Sequence, residues 1–250
     1  MGVRGQVTPQ AMANNAQRRQ TRPVLLMTRS KTDSQRFVDS LNPDLCAQAT
    51  VIMAPLIAIV PTENSADLQE GEGAIFSSSH GVAFAPEGAG RVAHCVGRRT
   101  GEAATAAGWQ VRHVAQTADE LVATIAAEGP LVHLSGKHHR GDISERLQSK
   151  GIPCRRRILY DQVLQALTQT AQDALLGEQP VIVPLFSPRT AAQLVQQARS
   201  WARAHVLAIS EAVASELGGV SPAQMHIASA PTGSDMRRGV EMLLQKASLP

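Results

Sequence analysis

The chain predicts an α/β fold made of two similar doubly wound parallel-sheet domains joined by a two-stranded β bridge. Three observations lead there. Short β-rich apolar runs alternate with Ala-rich amphipathic stretches, the pattern of parallel strands with helical crossovers. Two strand-like segments, Val51–Val60 and Arg155–Val163, lead into no prompt helix and bracket about a hundred residues. The blocks inside and after that bracket repeat one another in order.

The elements follow from local pattern. Val24–Thr28 (VLLMT) reads as a buried strand, with Asp33–Leu41 as the helix behind it. Ala74–Ser77, Leu131–Ser135, Val181–Phe186 and Val206–Ser210 are comparable strands. Helices are expected near Gly101–Ala107, Ala118–Glu128, Asp142–Lys150, Thr190–Ala204, Glu211–Leu217 and Ser234–Lys246. With the two exceptional segments side by side, the residues between them become an inserted domain and the chain ends close another. The expected division is a disordered leader over 1–22, a discontinuous first domain over 23–50 and 166–250, bridge strands at 51–59 and 155–165, and an inserted domain over 60–154.

The repeat supports this division. IFSSSHGV, VGRRTGEAATAAG and VAQTADELVATI in the central block answer LFSPRTAA, AISEAVASELGG and ASAPTGSDMRRGVEML in the C-terminal one. Ser78, Thr100 and Thr117 correspond to Ser187, Val213 and Thr232, at spacings of 22 and 17 residues against 26 and 19.

Composition narrows the function. Of 250 residues, 43% are hydrophobic and 18% charged, enough for a real core. One Tyr, two Trp and four Phe leave little surface for stacking bases, which argues against nucleic-acid binding. The net charge of +3 includes Arg4, Arg18, Arg19 and Arg22 in a leader without acids. Twenty basic residues then face 21 acidic ones, a body near neutrality. Cys46, Cys95 and Cys154 form no disulfide framework or CxxC site, in keeping with a reducing compartment. The longest apolar run, Val51–Val60, is broken by Pro55 and too short for a bilayer. A soluble cytoplasmic protein is expected.

Ligands of open α/β sheets bind beyond the carboxyl ends of strands, where helix N-termini offer free N–H groups. Ser77, Ser78, Ser79, Arg98 to Thr100, Ser135 to Lys137, Ser187 and Thr232 fall at such ends. Each Ser or Thr is also an ordinary N-cap. Together they make two rims rich in donors for anions. The loop SGKHHRG adds Lys137, His138, His139 and Arg140, as an anion-facing or simply solvated segment. GxSxG, Walker A, GxGxxG and HExxH motifs are absent, and the eight histidines show no ligand spacing, so neither a metal nor a cofactor is expected. Tyr160, the single tyrosine, lies on a proposed bridge strand, as a packing residue or as a hydroxyl donor. Arg155, Arg156 and Arg157 before it read as a solvated strand edge.

These motifs, in this order, resemble the uroporphyrinogen-III synthase family over essentially all of Pro23–Gln245. The resemblance rests on Thr28-Arg29, the Pro55 strand, IFSSSHGV, Val96-Gly97 with Thr100, Gly136 with Arg140, Leu159-Tyr160, Ser187-Pro188 and Pro231-Thr232. Ser77 stands where threonine is commoner, Val213 replaces a threonine, and Phe84-Ala-Pro86 cuts short the helix after Ser79. The resemblance implies cofactor-free cyclisation of hydroxymethylbilane to uroporphyrinogen III with ring D inverted, through an azafulvene and a spiro intermediate in a cleft between domains. It implies Tyr160 as the catalytic donor. It implies Arg29, Ser77, Ser78, Thr100, Ser135, Gly136, Lys137, Arg140, Ser187 and Thr232 as substrate holders. A monomer without nucleic-acid or membrane partners is the default expectation. The alternatives are a non-catalytic clamp for an anionic metabolite, or another two-domain α/β enzyme such as a sugar-phosphate isomerase or methyltransferase.

Overall fold

A computed structural model describes residues 22–138 and 141–248. The leader expected over 1–22 lies, Arg22 apart, outside the described residues. By packing, the chain divides into two compact units: one reaches Ala58 and resumes at Leu164, and the other is Ile59–Val163.

The first unit opens with β1 (Val24–Met27), α1 (Lys31–Asp39), α2 (Pro43–Ala47) and β2 (Thr50–Met53). It resumes with α7 (Gln169–Leu176), β9 (Val181–Leu185), α8 (Pro188–Gln197), β10 (Ala204–Ala208), α9 (Glu211–Ala214) with a 3-10 turn, β11 (Gln224–Ile227) and α10 (Gly233–Ala247). Its sheet runs β11-β10-β9-β1-β2, and all pairings are parallel. Strand β1 is buried throughout because helices cover both faces. Its side chains alternate accordingly. Val24 and Leu26 join the core of Leu194, Val206 and Leu217, while Leu25 and Met27 join that of Phe37, Met236 and Val240.

The second unit contains β3 (Ile57–Pro61), β4 (Gly73–Phe76), α3 (Ser79–Ala83), β5 (Val92–Val96), α4 (Arg98–Ala106), β6 (Gln110–Ala115), α5 (Ala118–Thr124), β7 (Leu131–Gly136), α6 (Ile143–Ser149) and β8 (Cys154–Leu164). The order is β3-β8-β7-β4-β5-β6. Strands β8 through β6 are parallel. Between β3 and β8, the Thr62 N–H donates to the Leu159 carbonyl and the Gln165 N–H to that of Leu56, both at 2.9 Å. One partner number rises as the other falls, so this pair is antiparallel.

The apolar run Val51–Val60 is two strands rather than one. Thr50–Met53 pairs with β1 and only Ile57–Pro61 pairs with β8. Pro55, which has no N–H to donate, stands between them. Helices α5 and α8 end earlier than expected, at Thr124 and Gln197, and α3 has five residues, as Pro86 implied.

The three arginines of β8 are not a solvated edge. Arg155 donates to both carboxylate oxygens of Glu72 at 2.6 Å, and Glu72 is only 6% exposed. Hydrogen bonding to Arg155 holds the Glu72 carboxyl below the usual glutamate range. A depressed folded value gives stability that is present above the ordinary 4.5 and lost as the pH falls through the folded value. Glu72→Gln is therefore expected to destabilise this unit by about 1.5–3 kcal/mol at pH 7, the range for a charge-assisted hydrogen bond. In acid denaturation followed by circular dichroism, the mutant and parent stabilities should converge as the pH drops below 4.5. Parallel curves would remove the ion pair as the cause.

Candidate active site

At the carboxyl ends of β4, β7 and β8 the second unit gathers most of the residues singled out by sequence. Ser78, in extended backbone, N-caps α3 and accepts the His80 N–H at 3.2 Å. Ser77 Oγ lies 2.9 Å from Nε2 of His133, a fully buried residue of β7. Ser79 Oγ accepts from the Arg99 guanidinium at 3.2 Å. Helix α4 begins at Gly97, whose φ of 82° suits glycine, and no side chain caps it. Its first N–H groups therefore keep their anion-binding capacity. Thr100 is buried in that first turn, 5% exposed.

Tyr160 is the centre of this arrangement. It is only 3% exposed, stacked on Phe84 with centroids 5.8 Å apart, with the His80 ring edge-on at 6.0 Å. Burial raises the phenol above its ordinary pKa and outweighs the Ser78 side chain and the Gly136 backbone, which lower it, so it stays protonated at neutral pH. The packing reading of Tyr160 describes its ring, which belongs to the core of this unit.

Gly136 is opposite Tyr160 in the ladder, at a register shift that follows Ser135. A Cβ on Gly136 would lie 2.5 Å from Tyr160 Cε2 and 2.6 Å from Cζ. Space, not φ, demands glycine here. Arg156 holds the same turn: Nε donates to Ser135 Oγ at 2.9 Å, and Nη2 to the carbonyls of Gly136 at 2.7 Å and Lys137 at 3.1 Å. Lys137 is exposed, donates its N–H to the Tyr160 carbonyl, and pairs with Asp161 at 3.2 Å. Arg140 lies outside the described residues.

The first unit carries a second rim. Ser187 N-caps α8, accepting the Thr190 N–H at 3.2 Å. The Arg29 guanidinium lies 4.4 Å from the centroid of the Phe186 ring and 3.6 Å from Asp33. Thr232 N-caps α10 and its hydroxyl hydrogen-bonds Asp235, which also takes Ser229 at 2.9 Å and Arg238. The Thr232, Arg238 and Ser229 bonds hold the Asp235 carboxyl down at about 2. Val213 is buried, and Ser210 makes no side-chain cap bond, so that turn offers backbone groups and the Ser210 hydroxyl.

Sequence reasoning did not pick out His133, Arg156 and Phe84. For His133 a signal existed. In LVHLSG, His133 and Ser135 share one face of an otherwise apolar strand, and both are buried. Arg156 gave none, since three successive arginines look alike until pairing assigns each a neighbour.

Comparison with known proteins gives this geometry its context. A family model described as uroporphyrinogen-III synthase HemD matches residues 45–237. Among solved structures, the uroporphyrinogen-III synthetase of Helicobacter pylori matches with a TM-score of 0.60 at 16% identity, covering 89% of this chain and 99% of that one. A mutant uroporphyrinogen III synthase from Thermus thermophilus gives a TM-score of 0.49 at 16% identity, covering 90% and 99%. No curated protein matches. The H. pylori likeness shows the fold. The family model spans most of the chain and takes in every rim residue named above except Arg29, Asp33 and Arg238, and on that match the chain belongs to the uroporphyrinogen-III synthase family.

Proposed function

We propose that the chain cyclises hydroxymethylbilane to uroporphyrinogen III, as a lyase that expels water and inverts ring D. The family match over residues 45–237 carries this reading. The C–O bond of the terminal hydroxymethyl group breaks and the oxygen leaves as water, with a proton supplied to it. The resulting azafulvene is attacked by the substituted carbon of the far pyrrole, giving a spiro centre. Fragmentation and reclosure through the other carbon restore aromaticity and leave ring D inverted.

Tyr160 is the proton or hydrogen-bond donor for the departing hydroxide. The neutral phenol fits a donor role. Ser77, Ser78, Thr100, Ser135, Gly136 and Lys137 on one rim, with Arg29, Ser187 and Thr232 on the other, hold the substrate carboxylates through N–H, hydroxyl and cationic groups. Thr232 faces Asp235 with its hydroxyl, so it serves the ligand through the N–H groups at the start of α10.

The reading includes a monomer working in the cytoplasm. Three free cysteines support the compartment, and no helix among the described residues is long and apolar enough to cross a membrane. Hydroxymethylbilane generated in situ should yield uroporphyrin III after oxidation and chromatography. Isomer I alone, the spontaneous product, would overturn the assignment and leave a binding protein.

A further inference from the structure

Three of the groups offered to the substrate, Lys137, Thr232 and Arg29, already carry a carboxylate of the chain itself. On the second unit, Lys137 Nζ donates to Asp161 Oδ2 at 3.2 Å, and His138 Nε2 lies 3.4 Å from Oδ1. On the first unit, Asp235 takes the Thr232 and Ser229 hydroxyls and the Arg238 guanidinium. There too Arg29 lies 3.6 Å from Asp33, which also takes the hydroxyl of Ser30, the cap of α1, and so serves that helix. By contrast, α4 and α8 have no acidic residue in their first turns, although Thr100 and Ser187 stand at their starts.

Within these pairs the anion is the enclosed member. The side chains of Lys137 and Arg238 are 61% and 68% exposed, whereas those of Asp161 and Asp235 are 23% and 9% exposed. In an ordinary surface pair both heads sit in water and the contact contributes little. Asp235 is instead ringed by two hydroxyls and a guanidinium in the first turn of α10, the setting that suits a bound carboxylate. Both carboxyls lie below their ordinary values. At Asp161 desolvation is outweighed by the Lys137 and Gln162 N–H bonds and the nearby cations, and at Asp235 the Thr232 bond leads. Both are therefore anions at neutral pH.

We infer that Asp161 and Asp235 are internal stand-ins for ligand carboxylates, which occupy the rim donors until a polycarboxylate exchanges with them and so set selectivity against single small anions. The identity of that polycarboxylate, hydroxymethylbilane, rests on the function proposed above.

The selectivity follows from a balance of free energies. A lone carboxylate that displaces Asp161 from Lys137 gains only what the aspartate gives up, and it still loses its freedom of motion. A ligand with several carboxylates engages further donors at a high effective concentration once one of them is seated. Each aspartate also cancels the local charge that would otherwise draw stray anions to its cation.

Asp161→Asn and Asp235→Asn keep the side-chain shape and one acceptor oxygen while removing the charge. In the full chain, each should lower the Michaelis constant for hydroxymethylbilane by about 2–5-fold, the range of one exposed ion pair. The double variant should multiply the two effects. Calorimetric titration with citrate, a small polycarboxylate, should show the same falls in dissociation constant independently of turnover. Asp173→Asn takes the same charge from the exposed face of α7 and should leave both constants at parent values. Constants unchanged or raised in both aspartate variants, or an equal fall in Asp173→Asn, would overturn the inference while isomer III from the parent upholds the activity. Isomer I alone from the parent would overturn the activity, and the citrate constants would still decide the exchange.

Discussion

Gly136→Ala should lower both stability and turnover, and the fall in turnover should far exceed what unfolding explains. The added methyl would meet Tyr160 Cε2 at 2.5 Å, Cζ at 2.6 Å and the hydroxyl at 3.0 Å. These are ring atoms of a buried side chain, not the end of a flexible one. Phe84 stacks on the ring and His80 meets it edge-on, so the ring has no slack to give. Overpacking of this kind costs about 1–3 kcal/mol. A shift of the phenol by ~1 Å costs about 10²-fold in rate where position matters. Urea denaturation checks the first effect, and isomer III formation at saturating substrate checks the second. Full turnover in a destabilised but folded protein would show that the ring position is indifferent to the chemistry. Arg156→Lys tests the same turn from the other side. A lysine cannot reproduce three guanidinium bonds to Ser135, Gly136 and Lys137, so its turnover should fall in the same direction.

Periodicity made much of the sheets legible because several central strands are buried on both faces and read as short apolar runs. VLLM, GAIF and VIVPL are of this kind. Two edge strands were not legible: Gln110–Ala115 alternates exposed and more buried residues and Gln224–Ile227 is largely exposed, because an edge strand has one neighbour and less burial. Helix α7 escaped notice because QTAQDALL follows the long β8 and carries weak amphipathic contrast. The split of Val51–Val60 shows how one apolar run can serve two sheets. Hydrophobicity reports burial, and only Pro55 hinted where the chain changes partners.

The site was legible as residue types at strand ends, and less so as relationships. Ser77, Ser78, Ser135 and Gly136 were expected at strand ends and Tyr160 on a bridge strand, and the second unit brings Gly136 and Tyr160 into register. Nothing in the one-dimensional pattern said that Gly136 exists to seat Tyr160, since a ring contact between residues 24 positions apart depends on the β7–β8 register. Arg155 and Arg156 went unread for the same reason. Successive residues of a strand face opposite ways, so one arginine reaches Glu72 and the next reaches the Ser135 turn.

Tyr160→Phe should reduce isomer III formation by about 10²-fold, the loss typical of removing one aimed donor from a developing charge. Stability should change little. The phenyl ring keeps its stack on Phe84, and loss of one hydroxyl is worth about 1 kcal/mol. The product ratio gives a second readout that a structural effect would not reproduce. The linear tetrapyrrole closes unaided to isomer I, so a mutant that binds substrate but ionises it slowly should release mostly isomer I on long incubation. The Michaelis constant should hold near the parent value, because the carboxylate-holding donors are untouched. Combined with Gly136→Ala, the rate effects should be far from additive, since both changes act on one phenol. Simple multiplication of the two losses would mean that Gly136 and Tyr160 work independently. Parent-level turnover in Tyr160→Phe would move the donor role to another group on the rim, with Ser77 and its buried partner His133 the next pair to test.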